Sequence, residues 1–136
     1  MIPTAGVLIY KDNKVLLVKH SQDSSHLTGK YGIPAGVIRP NESAEDTAVR
    51  KLKAETGLNT NIENLEEIEK IYSAKIERKD GIKEFSLKVF ICEKYSGEII
   101  TANNEFPEWI NLKDINNIDL LPNMKKIIED GLRNRT

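Results

Sequence analysis

The segment Ser43 to Gly57, SAEDTAVRKLKAETG, constrains the chain more than any other, because it carries both a start and a stop signal for a helix. The Ser43 hydroxyl is placed to accept an orphan backbone N–H of the first turn, and Asp46 is placed to reach back to it. Ala44, Ala48, Val49 and Leu52 recur at helical spacing and make one apolar stripe. Gly57 supplies the left-handed residue at which such a helix stops. A helix with one apolar stripe must bury it against something. The piece in front, YGIPAGVIRPNE, holds two glycines and two prolines and cannot continue the helix backwards. It reads as short extended segments joined by turns.

The partner surface comes from β-prone runs. AGVLIY and KVLLVKH flank KDN, where Asp12 and Asn13 tolerate the left-handed backbone of a tight hairpin. Ile68 to Arg78 and Lys83 to Tyr95 form a second pair around KDG. Asn59 to Asn64 reads as a strand or loop, EII after Ser96-Gly97 as a short strand, and PEWINLKDI as a strand around a core Trp109 followed by a helical turn. Leu121 to Leu132 reads as an amphipathic helix with Met124, Ile127, Ile128 and Leu132 inward and Pro122 in its first turn. Between the first hairpin and Tyr31 lies the polar loop Ser21 to Lys30, and His20 and His26 read as surface histidines there. No repeat or linker divides the sequence, so residues 1–136 read as one domain: an α/β fold with a mixed sheet between two helices.

A chain of 136 residues can bury roughly two-thirds of its unfolded surface, so its core needs neither disulfide nor metal. The lone Cys92, inside the apolar run KVFICEKY, reads as a buried structural thiol. A formal net charge of -1 gives no global field toward nucleic acid or an anionic membrane. No apolar run approaches the ~18 residues of a membrane span, and no cationic leader precedes one. The chain reads as a soluble cytoplasmic protein. No feature assigns an oligomeric state.

Gly36, Glu42, Arg50, Leu52, Glu55, Gly57 and Leu58 stand at the spacing G-x5-E-x7-R-E-U-x-E-E-x-G-U, where U is a bulky aliphatic residue. Seven of the nine fixed positions match within residues 36–58, and the segment Gly29 to Leu58 resembles the Nudix hydrolases. The resemblance implies a Nudix-type α/β/α sandwich that cleaves the diphosphate linkage of a nucleoside diphosphate attached to another group. It implies Mg²⁺ or Mn²⁺ as cofactor, since divalent metal neutralises phosphate oxygens and acidifies the attacking water. It assigns the Gly36 carbonyl and Glu55 to the metal. Glu55 and Glu42 become the catalytic carboxylates, with Arg50 as the partner that holds Glu42. A further carboxylate is expected from NNEFPEW, either Glu105 or Glu108, and Glu105 is preferred because Glu108 is set against the strand.

Two positions depart from the pattern. Lys51 replaces the glutamate after the arginine, and Ala54 replaces the first of the later pair. At ~4 Å and an effective dielectric of ~20, unit charges act on each other with about 4 kcal/mol, and a divalent ion feels about twice that. An ammonium on this face therefore opposes metal, and Mg²⁺ binding is expected to be weak. Lysine is also a phosphate binder, so Lys51 can dock a diphosphate directly. The bland alternative is a surface lysine beside Lys53. Lys19 and Lys30 flank the polar loop and are further substrate-binding candidates, and Asn123 either caps the last helix or reads a base edge.

The first functional expectation is a domain that binds a small nucleotide diphosphate derivative, with metal-dependent hydrolysis reduced or lost. The second is a working Mg²⁺-dependent pyrophosphohydrolase using Glu55, Glu42 and a loop carboxylate such as Glu105. A protein-interaction domain with a vestigial cleft ranks third. Membrane and nucleic acid are not expected as partners.

Overall fold

The structure is a computed structural model that describes residues 1–20, 29–78, 80–101 and 105–134. The bracketed helix is present as α1 (Ala44–Thr56), with Ser43 and Asp46 closing a full capping box. Gly57 ends it at φ 89°, a conformation costly for any residue with a side chain. The segment EII, expected to be a strand, does another job: the Ile100 N–H donates to the Thr56 carbonyl (2.8 Å) and satisfies the helix end. It forms no strand.

Two sheets carry the rest. The first runs in the order β5 (Ala35–Val37), β1 (Ile2–Leu8), β7 (Gly81–Cys92), β6 (Leu65–Arg78). Its β1 and β7 are parallel, and its other pairs are antiparallel. In the second, β3 (Lys14–His20) pairs with β2 (Tyr10–Lys11), β4 (Tyr31–Gly32) and β8 (Glu105–Asn111), all antiparallel. The first hairpin has its tight turn, with Asp12 and Asn13 at φ 49° and 64°. Its first arm is shorter than expected. Tyr10 and Lys11 pair with β3 and Ile9 lends its carbonyl to the Leu16 N–H (2.9 Å), while Ile2 to Leu8 runs parallel to β7 in the other sheet. The physical reason is burial on both faces. Residues 5 and 7–9 are fully buried, and a parallel pairing covered on both sides suits so apolar a run.

Alternate residues feed two cores. Val7, Ile9, Leu16 and Phe90 face Ala48 and Leu52 of α1. Leu8, Val15, Leu17, Val89 and Ile91 face the opposite way, onto Met124, Ile127 and Ile128 of α2 (Met124–Asn134). The result is the expected sandwich, with a helix on each side.

Other boundaries shift. The C-terminal helix starts at Met124 and not at Leu121, because Asn123 adopts a left-handed φ of 69° and the Leu121 N–H bonds the Tyr31 carbonyl (2.9 Å). Pro122 therefore lies before the helix and not in its first turn. Residues 59–64 make one bridge, Asn59 to Ser96, and a 3₁₀ turn at Ile62–Asn64. Cys92 is buried, with its sulfur against the Lys94 carbonyl (3.2 Å). His26 and most of the polar loop lie outside the described residues.

Candidate active site

The site is built from the two ends of α1. At its start, Glu42 is held from all sides. One oxygen accepts from the Arg39 N–H (3.1 Å), the Thr47 hydroxyl (2.5 Å) and the Arg50 guanidinium (2.9 Å). The other accepts from Arg50 Nε (2.8 Å). The Arg50 fork also reaches the Val37 carbonyl (3.2 Å), tying helix to β5. Arg50 and Thr47 hold the Glu42 carboxyl well below the usual carboxylate range. The structure thus brings Glu42 and Arg50 together as expected. With both oxygens of Glu42 engaged, the pair acts as a clamp on the loop.

Near the other end of the helix, Glu55 lies on the face turned to β5, only 9% exposed. Its Oε1 accepts the Ala35 N–H at 3.0 Å. Burial pushes its carboxyl up to about 7, while the Ala35 N–H and Lys51 pull the other way and Glu105 adds to the rise. Lys51 Nζ stands 3.9 Å from Glu55 Oε2, too far for a hydrogen bond. The Lys51 stem lies over Gly36. A methyl group there would collide with the Lys51 stem, so the glycine is the bed on which the lysine side chain lies. Lys51 thereby runs from Gly36 to Glu55, the two positions assigned to metal by resemblance. Ala54 is exposed and contributes no carboxylate.

The choice between Glu105 and Glu108 follows from strand alternation. Trp109 packs on the α1 side and Ile110 on the α2 side. Glu105 shares the side of Trp109. Its carboxyl is raised by burial, and Lys51 opposes the rise. Glu108 points the other way and accepts from the Tyr31 hydroxyl, which burial and this carboxylate push up to about 12. Glu105, at the start of β8, is therefore the carboxylate on the side of Glu55 and Lys51.

Beside β5 lies a cavity of about 160 Å³. Its walls are largely apolar, with Ile33, Tyr72, Phe85 and Leu87 among them, and Asn123 and Ser73 add polar atoms. Ala35 and Gly36 line it too, so the cavity and the Glu55 carboxylate share one strand. Asn123 belongs to this cavity. Its Nδ2 donates to the Ser73 carbonyl (2.7 Å), while its own carbonyl takes the Ile127 N–H (2.8 Å) as α2 begins. Lys19 is exposed, with Nζ 5.9 Å from the Tyr31 ring centroid on the α2 side. Lys30 lends its carbonyl to the His20 N–H (3.0 Å). Neither lysine pairs with Glu55 or Glu105 among the described residues.

His20 was expected on the surface. It is half-buried, lines the cavity, and sits opposite Glu105 in the β3–β8 register. The signal was available: His20 continues the alternation of Leu16 and Val18.

Over residues 2–131 the chain matches the family model described as the NUDIX domain. The chain belongs to the Nudix family. This Nudix domain is 32% identical over 127 residues to an ADP-ribose pyrophosphatase of Methanocaldococcus jannaschii, a match that covers 93% of this chain and 70% of that protein. It is 24% identical over 123 residues to the 8-oxo-dGTP diphosphatase of Escherichia coli, covering 90% of this chain and 89% of the relative. Among solved structures, the MutT NUDIX hydrolase from Burkholderia pseudomallei superposes with a TM-score of 0.77 at 19% identity, covering 95% of this chain and 96% of that one. The NUDIX domain of Shewanella oneidensis NrtR, solved with ADP ribose, gives a TM-score of 0.69 at 22% identity, covering 100% of this chain and 89% of that one.

Nudix hydrolases generally use divalent metal such as Mg²⁺, so the donor set must be tested against it. Mg²⁺ requires several oxygen ligands in octahedral array. Here one Glu55 oxygen is committed to Ala35, the other faces an ammonium, Glu42 is committed to Arg50, and Lys51 covers Gly36. Among the described residues no group of three or more His, Cys, Asp or Glu side chains is arranged to hold a metal. The residues present do not fit the ion.

Proposed function

We propose that this Nudix domain binds a nucleoside diphosphate derivative, and that metal-dependent hydrolysis of it is reduced or lost. The observation that carries the reading is Lys51, which spans Gly36 and Glu55 with a fixed positive charge. An ammonium there supplies the attraction for phosphate oxygens that a metal would otherwise supply. It cannot acidify a bound water, which is the part of metal catalysis that cleavage needs. The apolar cavity beside β5 suits a flat ring, and Asn123 sits on its wall. The relatives' names, an ADP-ribose pyrophosphatase and an 8-oxo-dGTP diphosphatase, support the substrate class.

A second reading has one observation in its favour. Glu105 lies on the Glu55 side, so two carboxylates and not one approach the cleft. On that reading the domain is an active pyrophosphohydrolase using Glu55 and Glu105, and without Glu42 as a ligand. The two readings separate in a paired assay. ADP-ribose, nucleoside triphosphates and nucleoside diphosphates are titrated calorimetrically in EDTA, and phosphate or pyrophosphate release is followed with Mg²⁺ or Mn²⁺. The first reading expects binding that survives EDTA and turnover near background. Ordinary turnover that disappears in Glu55→Gln decides for the second.

A further inference from the structure

Asp130 of α2 is a buried carboxylate that the chemistry of the cleft does not use. It is only 7% exposed, and a carboxylate is rarely placed so deep unless it is paired. Its Oδ2 accepts the Tyr72 hydroxyl at 2.6 Å and lies 3.5 Å from Lys70 Nζ, while its Oδ1 accepts from the Arg133 guanidinium. The Tyr72 bond, ahead of the two cations, holds the Asp130 carboxyl below its ordinary range. Burial, joined by the same bond, raises the Tyr72 phenol. The pair is a neutral phenol donating to a charged carboxylate, which is the stronger kind of hydrogen bond.

The donor of that bond is a wall of the ring cavity. Tyr72, Ser73 and Ala74 of β6 line the cavity on one side, and Leu121, Asn123 and Met124 line it where the chain enters α2. A cavity walled by two elements is only as well shaped as the spacing between them. β6 and α2 are tied at two points. Asn123 Nδ2 donates to the Ser73 carbonyl (2.7 Å) as the helix begins, and Tyr72 bonds Asp130 about two turns further along it. Toward the other sheet, α2 is pinned separately, by the Tyr10 hydroxyl on the Ile128 carbonyl (2.7 Å). Loss of the Asp130 tie leaves α2 held at Asn123 and Tyr10 and leaves the Tyr72 ring without its anchor. A ligand must then order this wall as it binds, and that ordering costs affinity. Asp130 does not itself line the cavity, so its route to a ligand there is Tyr72.

We infer that Asp130 is a positioning residue that fixes the width of the ring cavity through Tyr72, and with it the choice among bases. This rests on the reading of the cavity as the ring site of a nucleoside diphosphate. It gives a buried charge outside the Nudix motif a part in specificity.

The test is calorimetric titration in EDTA with ADP, GDP, CDP and UDP, which share the diphosphate and differ in the ring. The parent is expected to separate its tightest and weakest ligand by about tenfold or more, the usual worth of a misfit in an apolar pocket. Tyr72→Phe removes the hydroxyl alone and leaves the ion pairs of Asp130 in place. It is expected to narrow that ratio by about threefold, through loss at the tightest ligand. Asp130→Ala should do the same, and Asp130→Asn, which keeps an acceptor, should retain most of the parental ratio. The double variant Tyr72→Phe, Asp130→Ala should be no less selective than Tyr72→Phe alone. A parental ratio in Tyr72→Phe overturns the inference. Equal weakening of all four ligands overturns it too, since that is the mark of a merely structural bond. A double variant less selective than either single one overturns the claim that Asp130 acts through Tyr72. If none of the four binds the parent, the reading of the cleft fails with it; if they bind the parent equally, or selectively with Tyr72→Phe silent, only this inference fails.

Discussion

Glu42 with Arg50 and Glu55 with Lys51 are two carboxylate–cation pairs whose cations are neighbours on one helix and whose carboxylates lie toward its opposite ends. In the first, the guanidinium fork meets both oxygens at 2.8 and 2.9 Å, and two further donors complete the shell. In the second, a buried carboxylate faces a single ammonium at 3.9 Å. The first carboxyl is held far below its ordinary range, while the second is pushed up to about 7 by burial. Arginine matches a carboxylate with a rigid two-pronged geometry, and lysine offers a point charge on a flexible stem. The Glu42–Arg50 half of the Nudix motif has thus kept its residues and joins them. The half that the resemblance assigns to metal has one glutamate and a cation.

The contrast is broken most strongly by restoring the lost carboxylates. Lys51→Glu with Ala54→Glu is expected to raise Mg²⁺-dependent release of phosphate or pyrophosphate by about a hundredfold or more, measured on the substrate that the parent binds best. Ala54 is exposed, so its replacement meets no packing barrier.

A second variant removes the charge at Glu55. A carboxyl raised from its ordinary 4.5 to about 7 holds its proton more tightly folded than unfolded. Its cost is absent below pH 4.5, grows as pH rises toward 7, and stays constant above that. Glu55→Gln is therefore expected to stabilise the protein by about 1–3 kcal/mol at pH 8 and by nearly nothing at pH 4. Denaturant titrations at the two pH values measure the difference.

Lys51→Ala sharpens the comparison from the cation's side. Diphosphate affinity in EDTA is expected to fall about tenfold by calorimetry, as one charge-assisted contact is lost. The smallest effect is expected at the complete-looking pair. Glu42 and Arg50 sit near solvent, where screening limits their worth, so Arg50→Ala should lower Tm by only a few degrees. Glu42→Gln should add little to that loss, since both act on one clamp.

Much of this was legible in the sequence for local reasons. The capping box, the Gly57 stop and the tight turn at Asp12-Asn13 depend on a few adjacent residues, and each appears where its residue types require. The spacing from Gly36 to Leu58 carried the family, and with it the place of Glu55 beside β5. What escaped depends on distant partners. Ala5 to Ile9 is apolar on both faces, so no period shows which strand it joins, and the chain crosses between sheets at Ile9. The left-handed Asn123 shortens the last helix because Leu121 pairs with Tyr31. His20 was obscured by the polar loop that follows it, although its place in the β3 alternation turns it inward.

The central claim is that the Lys51 ammonium takes the place of the metal between Gly36 and Glu55. Electron paramagnetic resonance of Mn²⁺ titrated into the parent protein tests it most directly. The account predicts a free-ion spectrum up to millimolar Mn²⁺, and a bound fraction that appears only in the Lys51→Glu, Ala54→Glu variant. One bound Mn²⁺ per parent chain, lost in Glu55→Gln, would contradict it.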